Sequence, residues 1–171
     1  RDTLDDASQA GRFRRADENI RVVDNASHVV LHEPPPAHEL PARMQALCDF
    51  ANAESLQSAP PDVFLHPVVR SIALHFMLGY DHPFCDGNGR TARALFYWAM
   101  ARQGYWLTEF ISISRVIKKS PAQYGRAYLH SETDDNDATY FLIHQLEVIH
   151  HAITALHEFL RNKVRDINEA E

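Results

Sequence analysis

His82-Pro83-Phe84-Cys85-Asp86-Gly87-Asn88-Gly89-Arg90-Thr91-Ala92-Arg93 is the stretch on which the reading of this chain turns. Gly87 and Gly89 free the backbone to take unusual dihedrals and to approach a ligand closely. Arg90 to Gln103 contains no proline or glycine, and Gly104 supplies a stop, so a helix follows the loop at once. The loop therefore sits at a helix N-terminus, where unpaired N–H groups and the dipole favour an anion. Arg90 and Arg93 share a helix face, and two guanidinium groups beside such a turn suit a phosphate chain better than one carboxylate. Asp86 next to phosphates calls for a divalent ion to offset the repulsion, and Mg²⁺ beside ATP is the common choice. His82 supplies a group that takes a proton near neutral pH. A base, a metal carboxylate, an anion nest and paired arginines together are the parts needed for phosphoryl or nucleotidyl transfer. A single histidine, a single Gly-x-Gly or an exposed arginine pair would each be ordinary. Their joint occurrence in one short stretch carries the weight.

Working outward, the flanking sequence reads as helices. Val68, Val69, Ile72, Ala73, Phe76 and Met77 keep helical spacing before the loop, as do Leu40, Met44, Leu47 and Cys48. Leu142, Leu146, Ile149, Ile153, Leu156 and Leu160 form one apolar stripe, with the cap-forming cluster Asp134-Asp135-Asn136-Asp137 ahead of it. Ile20–Val23 and Val29–His32 are β-prone runs around the turn-type cluster Asp24-Asn25-Ala26-Ser27, which predicts a small hairpin. Pro34-Pro35-Pro36 forces an extended exit from it. The polar, charge-rich residues 1–19 suggest a solvated lead-in helix, chiefly over 1–10. The expected fold is mainly α, a helical bundle with a small β-hairpin flap, in one domain spanning 1–171.

Bulk composition narrows the classes. The chain has 171 residues, is 45% hydrophobic and 23% charged, and so has material for one core. A net charge of −6 argues against a surface that neutralises a nucleic-acid backbone. Two cysteines, Cys48 and Cys85, are too few for a disulfide framework and point to a reducing, cytoplasmic setting. No apolar run approaches the roughly 18 residues of a membrane helix, and no partner membrane is expected. No Gly-Lys-Ser/Thr follows a glycine-rich loop, which excludes a P-loop. His144 with His151, and His150 with His157, share a helix but lack metal-ligand spacing. A first residue of Arg rather than Met suggests a piece of a longer protein.

The stretch His82 to Arg93 resembles the signature of the Fic family, His-x-Phe-x-Asp/Glu-Gly-Asn-Gly-Arg-x-x-Arg, at every defined position. Ala10-Gly11-Arg12-Phe13-Arg14 is similar to the motif that opens the Fic core, residues 20–36 lie where the family has its flap, and Tyr140-Phe141-Leu142 lie where a late helix begins. The resemblance implies a Fic-type helical bundle and transfer of AMP from ATP to a Ser, Thr or Tyr hydroxyl of a target protein, with release of pyrophosphate. It implies that His82 is the general base, that Phe84 anchors the loop, and that Asp86 binds Mg²⁺. Gly87, Asn88 and Gly89 would form the anion hole, with the Asn88 side chain also reaching a phosphate, and Arg90 and Arg93 would bind phosphates. The target protein would dock on the flap, about residues 28–36. Tyr124 and Tyr128, four apart on a helix, could stack on the base or cover the ribose, with Asp134 and Asn136 in support; the competing reading places the tyrosines in the core and the acids at a cap.

Asp81 stands where many Fic proteins have an apolar residue. It could raise the His82 pKa or face solvent, and solvent is the expectation. The family's inhibitory motif, Ser/Thr-x-x-x-Glu-Gly/Asn, is not met by Arg14 with Glu18-Asn19, nor by Thr154 with Glu158 and Phe159. Either an inhibitory segment elsewhere or an antitoxin-like partner would then act on Arg93, or such control is lacking. Bacterial proteins of this kind often continue into a winged-helix segment, so nucleic acid would be met only through a C-terminal domain that this sequence lacks. The alternatives are transfer of UMP or phosphate, removal of AMP, and a catalytically silent interaction module.

Overall fold

The structure, a computed structural model, describes residues 6–23, 28–53 and 65–169. Two short antiparallel strands, β1 (Val22–Val23) and β2 (Val30–His32), precede six helices. These are α1 (Leu40–Asn52), α2 (Pro67–Asp81), α3 (Asn88–Arg102), α4 (Ile113–Lys119), α5 (Pro121–Thr133) and α6 (Thr139–Asn168). The expected helical bundle with a small hairpin is thus observed, and the turn cluster 24–27 lies outside the described residues. The lead-in helix is not found over residues 6–19: there the chain forms a single 3-10 turn, Ala7–Gln9, capped by Asp6. The sequence supplies no apolar face to hold a longer helix against the core. Residues 1–5 lie outside the described part.

Helix α2 runs through the middle of the bundle. Pro67 at its first turn has no N–H to satisfy, and the His66 ring accepts from the Val68 N–H at 3.2 Å. Its apolar residues face two ways. Leu74 and Leu78 pack with Leu47 and Ala51 of α1 and with Ala92 and Ala99 of α3. Ile72 joins Phe96 and Met100 of α3 and Phe141, Val148 and Ile149 of α6. Burying each large side chain of this set contributes about 1.5–3 kcal/mol. Because both neighbours clasp the same helix, the end of α2 and the start of α3 are held together, and the connecting loop has little freedom. Among the described residues no helix is long and apolar enough to cross a membrane.

Asp137, from the acidic cluster, accepts from the Thr139 N–H at 2.9 Å at the start of α6, as a capping residue does. Asp134 instead accepts from the Tyr140 hydroxyl at 2.8 Å, and Asp135 and Asn136 turn the chain with φ of 49° and 62°. The cluster is a helix-entry device.

Candidate active site

Helix α2 ends at His82, which adopts the left-handed region with φ 45° and ψ 56°. For a residue with a Cβ this costs about 1–2 kcal/mol, so surrounding contacts must hold it. Pro83 follows and blocks any continuation of the helix. The turn swings the imidazole back along α2, where Nδ1 lies 2.8 Å from the Gly79 carbonyl oxygen. A carbonyl can only accept, so Nδ1 carries the hydrogen and Nε2 keeps its lone pair. Burial holds the His82 pKa below the ordinary 6.5; the Gly79 bond opposes this, and the charges of His32 and Arg14 add to the lowering. The ring is therefore a neutral base at physiological pH.

The loop closes onto α3 through Gly87, whose φ of 85° is left-handed and free of strain for glycine. Asn88 is buried, and its carboxamide takes the Phe84 N–H at 2.9 Å and donates to the Phe84 carbonyl at 2.7 Å. The amide staples the loop to itself, and the helix-start N–H groups beside it can face an anion. Phe84 is half-buried, with its ring 6.1 Å from that of Phe13. Gly89 lies so close to Arg93 that a Cβ would stand 3.2 Å from Nη1.

His82, Asp86, Gly87, Asn88, Gly89, Arg90 and Arg93 all line one cavity of about 270 Å³, together with Cys85. Asp86 accepts from the Gly87 N–H at 2.5 Å and from Arg90 at 2.6 Å, with both charged side chains more than half exposed. A larger cavity of about 1010 Å³ lies between α4 and α6, lined by Val116, Ile117, Val148, Leu156 and Phe159 among others. The smaller one is the candidate site, because it brings together a base, a carboxylate and two guanidinium groups.

The structure does not bring Tyr124 and Tyr128 to this cavity. Tyr128 stacks on Phe76 at 5.3 Å and packs against Phe141 at 4.5 Å, while Tyr124 approaches the His75 Nε2 at 3.0 Å. Burial raises the pKa of both hydroxyls. These rings form an aromatic cluster behind Arg93, and Asp134 and Asn136 lie at the entry to α6. Spacing alone places the two tyrosines on one face of a helix; it does not say which way the face looks.

Asp81 is also not as expected. It is buried, 3% exposed, and its Oδ1 accepts from Arg43 Nε at 2.6 Å, so it faces neither solvent nor His82. Arg43 comes from α1, and nothing local in the sequence announces the pair. Glu18 is held by Arg12 in a two-pronged ion pair at 2.5 and 2.8 Å.

A sequence profile described as the Fic/DOC family matches residues 1–100, more than half of the chain. The chain belongs to the Fic/DOC family. Among curated Fic relatives, proteins of Drosophila willistoni and Nematostella vectensis, each named protein adenylyltransferase Fic, are 37% identical over 100 and 97 residues. Those matches cover 58% and 57% of this chain and 17% and 19% of the relatives, so the chain spans less than a fifth of their length. A solved Fic family protein from Desulfovibrio desulfuricans G20 superposes with a TM-score of 0.69 at 26% identity, over 95% of this chain and 44% of that one. A Fic domain containing signaling protein from Bacteroides thetaiotaomicron VPI-5482 shares the fold, with a TM-score of 0.61 at 24% identity over 85% and 53% of the two chains. Every defined position of the signature-like stretch except Phe84 lines the cavity.

Proposed function

We propose that this Fic domain is a protein adenylyltransferase. It transfers AMP from ATP to a Ser, Thr or Tyr hydroxyl of a target protein and releases pyrophosphate. The observation that carries the reading is the tautomer of His82: the Gly79 carbonyl holds Nδ1–H, which leaves Nε2 as proton acceptor on the cavity that it shares with the glycine turn, Arg90 and Arg93. The names of the curated relatives support the same activity.

In this reaction the target hydroxyl gives its proton to His82 Nε2 as its oxygen bonds to the α-phosphorus. The bond from that phosphorus to the β-phosphoryl oxygen breaks, and pyrophosphate carries the electron pair away. The N–H groups of the turn and the guanidinium groups of Arg90 and Arg93 stabilise the charge that develops on the phosphates. The donor set suits Mg²⁺, since Asp86 is a single exposed carboxylate and no group of three acidic, His or Cys residues among the described residues could hold a metal by itself. Mg²⁺ commonly binds through one carboxylate plus substrate phosphates. Asp86 would hold the ion, which would neutralise phosphate charge.

The target segment would lie along residues 28–36, where Val29 and Val30, at the start of β2, are exposed. Control would come from a glutamate or a partner acting on Arg93, because Glu18 is engaged by Arg12. Mass spectrometry of the protein and of lysate proteins after incubation with ATP and Mg²⁺ tests the activity. The expected result is a gain of one adenylyl group on a hydroxyl with the wild type and none with His82→Ala. A gain that persists in His82→Ala would overturn the assignment of the base.

A further inference from the structure

Behind the active-site loop runs the N-terminal segment 10–18, which makes contacts that the proposed chemistry does not use. The Arg14 N–H donates to the Pro83 carbonyl at 2.8 Å. The Arg14 side chain is buried, 8% exposed, and no carboxylate among the described residues bonds to it. Its Nε donates to the His82 carbonyl at 2.8 Å, and one Nη donates to the Asp81 carbonyl at 3.3 Å and to the Pro35 carbonyl at the exit of the hairpin. One guanidinium thus ties together the C-terminus of α2, the strained left-handed residue that carries the imidazole, and the strand exit.

We infer that Arg14 is a positioning residue that holds His82 in its left-handed conformation and couples the flap to the base. The carbonyls at a helix C-terminus lack intrahelical donors, and a buried guanidinium satisfies them while its charge complements the dipole. Its planar fork serves several acceptors at once, which a lysine ammonium on a flexible stem does not reproduce. If the His82 carbonyl loses its donor, the left-handed turn loses its support. The ring then leaves the Gly79 carbonyl, and the Nδ1–H tautomer is no longer selected. The phosphate cradle of Gly89, Arg90 and Arg93 stands on α3, with Gly87 at its N-cap, and is untouched.

The inference rests on the adenylyl-transfer reading for its kinetic arm only; its spectroscopic arm needs no substrate. The test compares the wild type with Arg14→Lys and Arg14→Gln, and with Leu47→Ala as a control that loosens the core of α1 without touching Arg14. Nitrogen-15 NMR of the imidazoles, well below the unfolding temperature, reads the His82 tautomer. The wild type and Leu47→Ala are expected to show one fixed Nδ1–H form, and both Arg14 variants a tautomeric mixture. In the transfer assay, Arg14→Lys is expected to lower kcat by about 10²-fold, as displacement of a reacting group by about 1 Å does, with KM for ATP within about 3-fold. Arg14→Gln can keep one carbonyl bond and carries the test if the lysine form does not fold. A fixed Nδ1–H tautomer in a folded Arg14 variant, or the same tautomer loss in Leu47→Ala, overturns the inference. Should the wild type transfer nothing, the adenylyl-transfer reading falls, and the tautomer alone decides the role of Arg14.

Discussion

The Nδ1 of His82 lies 2.8 Å from the carbonyl oxygen of Gly79, three residues back along the same helix. That one bond selects the tautomer that can accept a proton at Nε2. Burial lowers the pKa of the ring below 6.5, and the neutral form is the active one. The rate should therefore fall on acidification along a limb centred below pH 6.5, and stay flat through neutrality. A kcat/KM–pH profile, which reports the free enzyme, measures this; a limb centred above 6.5 would contradict it. Removing the imidazole in His82→Ala should lower the rate by about 10²–10⁴-fold.

Gly79 itself leaves room for Tyr128. A Cβ at this position would stand 2.0 Å from the Tyr128 hydroxyl oxygen and 2.8 Å from its Cζ. Gly79→Ala should cost about 1–3 kcal/mol of stability by overpacking, measured by urea unfolding. Tyr128→Phe should recover only part of that loss, because the ring carbon is still too close. Tyr128→Phe alone should leave ATP affinity within about 2-fold, since removing a hydroxyl outside the cavity costs the nucleotide no contact. A tenfold loss of affinity would return this ring to the nucleotide site.

His75 is fully buried, and burial pulls its pKa down from 6.5 to about 3. Its ring must charge on unfolding at any pH between those values. The unfolded state then binds the extra proton, so stability falls as pH drops below 6.5 and levels off near 3. The limiting slope is about 1.4 kcal/mol per pH unit for one group. Unfolding free energies of the wild type and His75→Gln between pH 7 and pH 4 test this, and the variant should show the shallower fall.

The buried Asp81 and Arg43 form a pair that ties α1 to the end of α2. Asp81→Asn should destabilise the protein by about 1–2 kcal/mol, a value discounted because Arg43 is partly in solvent. It should leave the His82 midpoint in place, as Asp81 is not among the charges that shift it. Denaturant unfolding and NMR titration of the same variant check both halves. A displaced His82 midpoint would mean that the carboxylate tunes the base.

The loop was legible in the sequence because its parts are contiguous. Twelve residues that end one helix and start the next must lie together, so His82, Asp86, Gly87, Gly89, Arg90 and Arg93 could be assigned to one site without knowing the rest of the fold. The long helices were legible for a similar reason, since their apolar stripes repeat over many turns. What escaped the reading depends on partners far along the chain. The Arg14 side chain meets the carbonyl of a residue 68 positions away. Asp81 finds Arg43 on another helix, and Tyr124 meets His75, 49 positions away. The closure of the Asn88 amide on Phe84 within the loop is likewise not legible, since composition does not reveal the partners of a carboxamide.

The central claim is that the site moves the α-phosphoryl group of ATP with its adenosine, using His82 as base. ATP labelled in separate samples at the α and the γ phosphorus, incubated with Mg²⁺, the protein and lysate, tests it most directly. Label from the α position should appear covalently on a protein hydroxyl, and vanish with His82→Ala. Label retained from the γ position alone would show phosphate transfer instead and contradict the account.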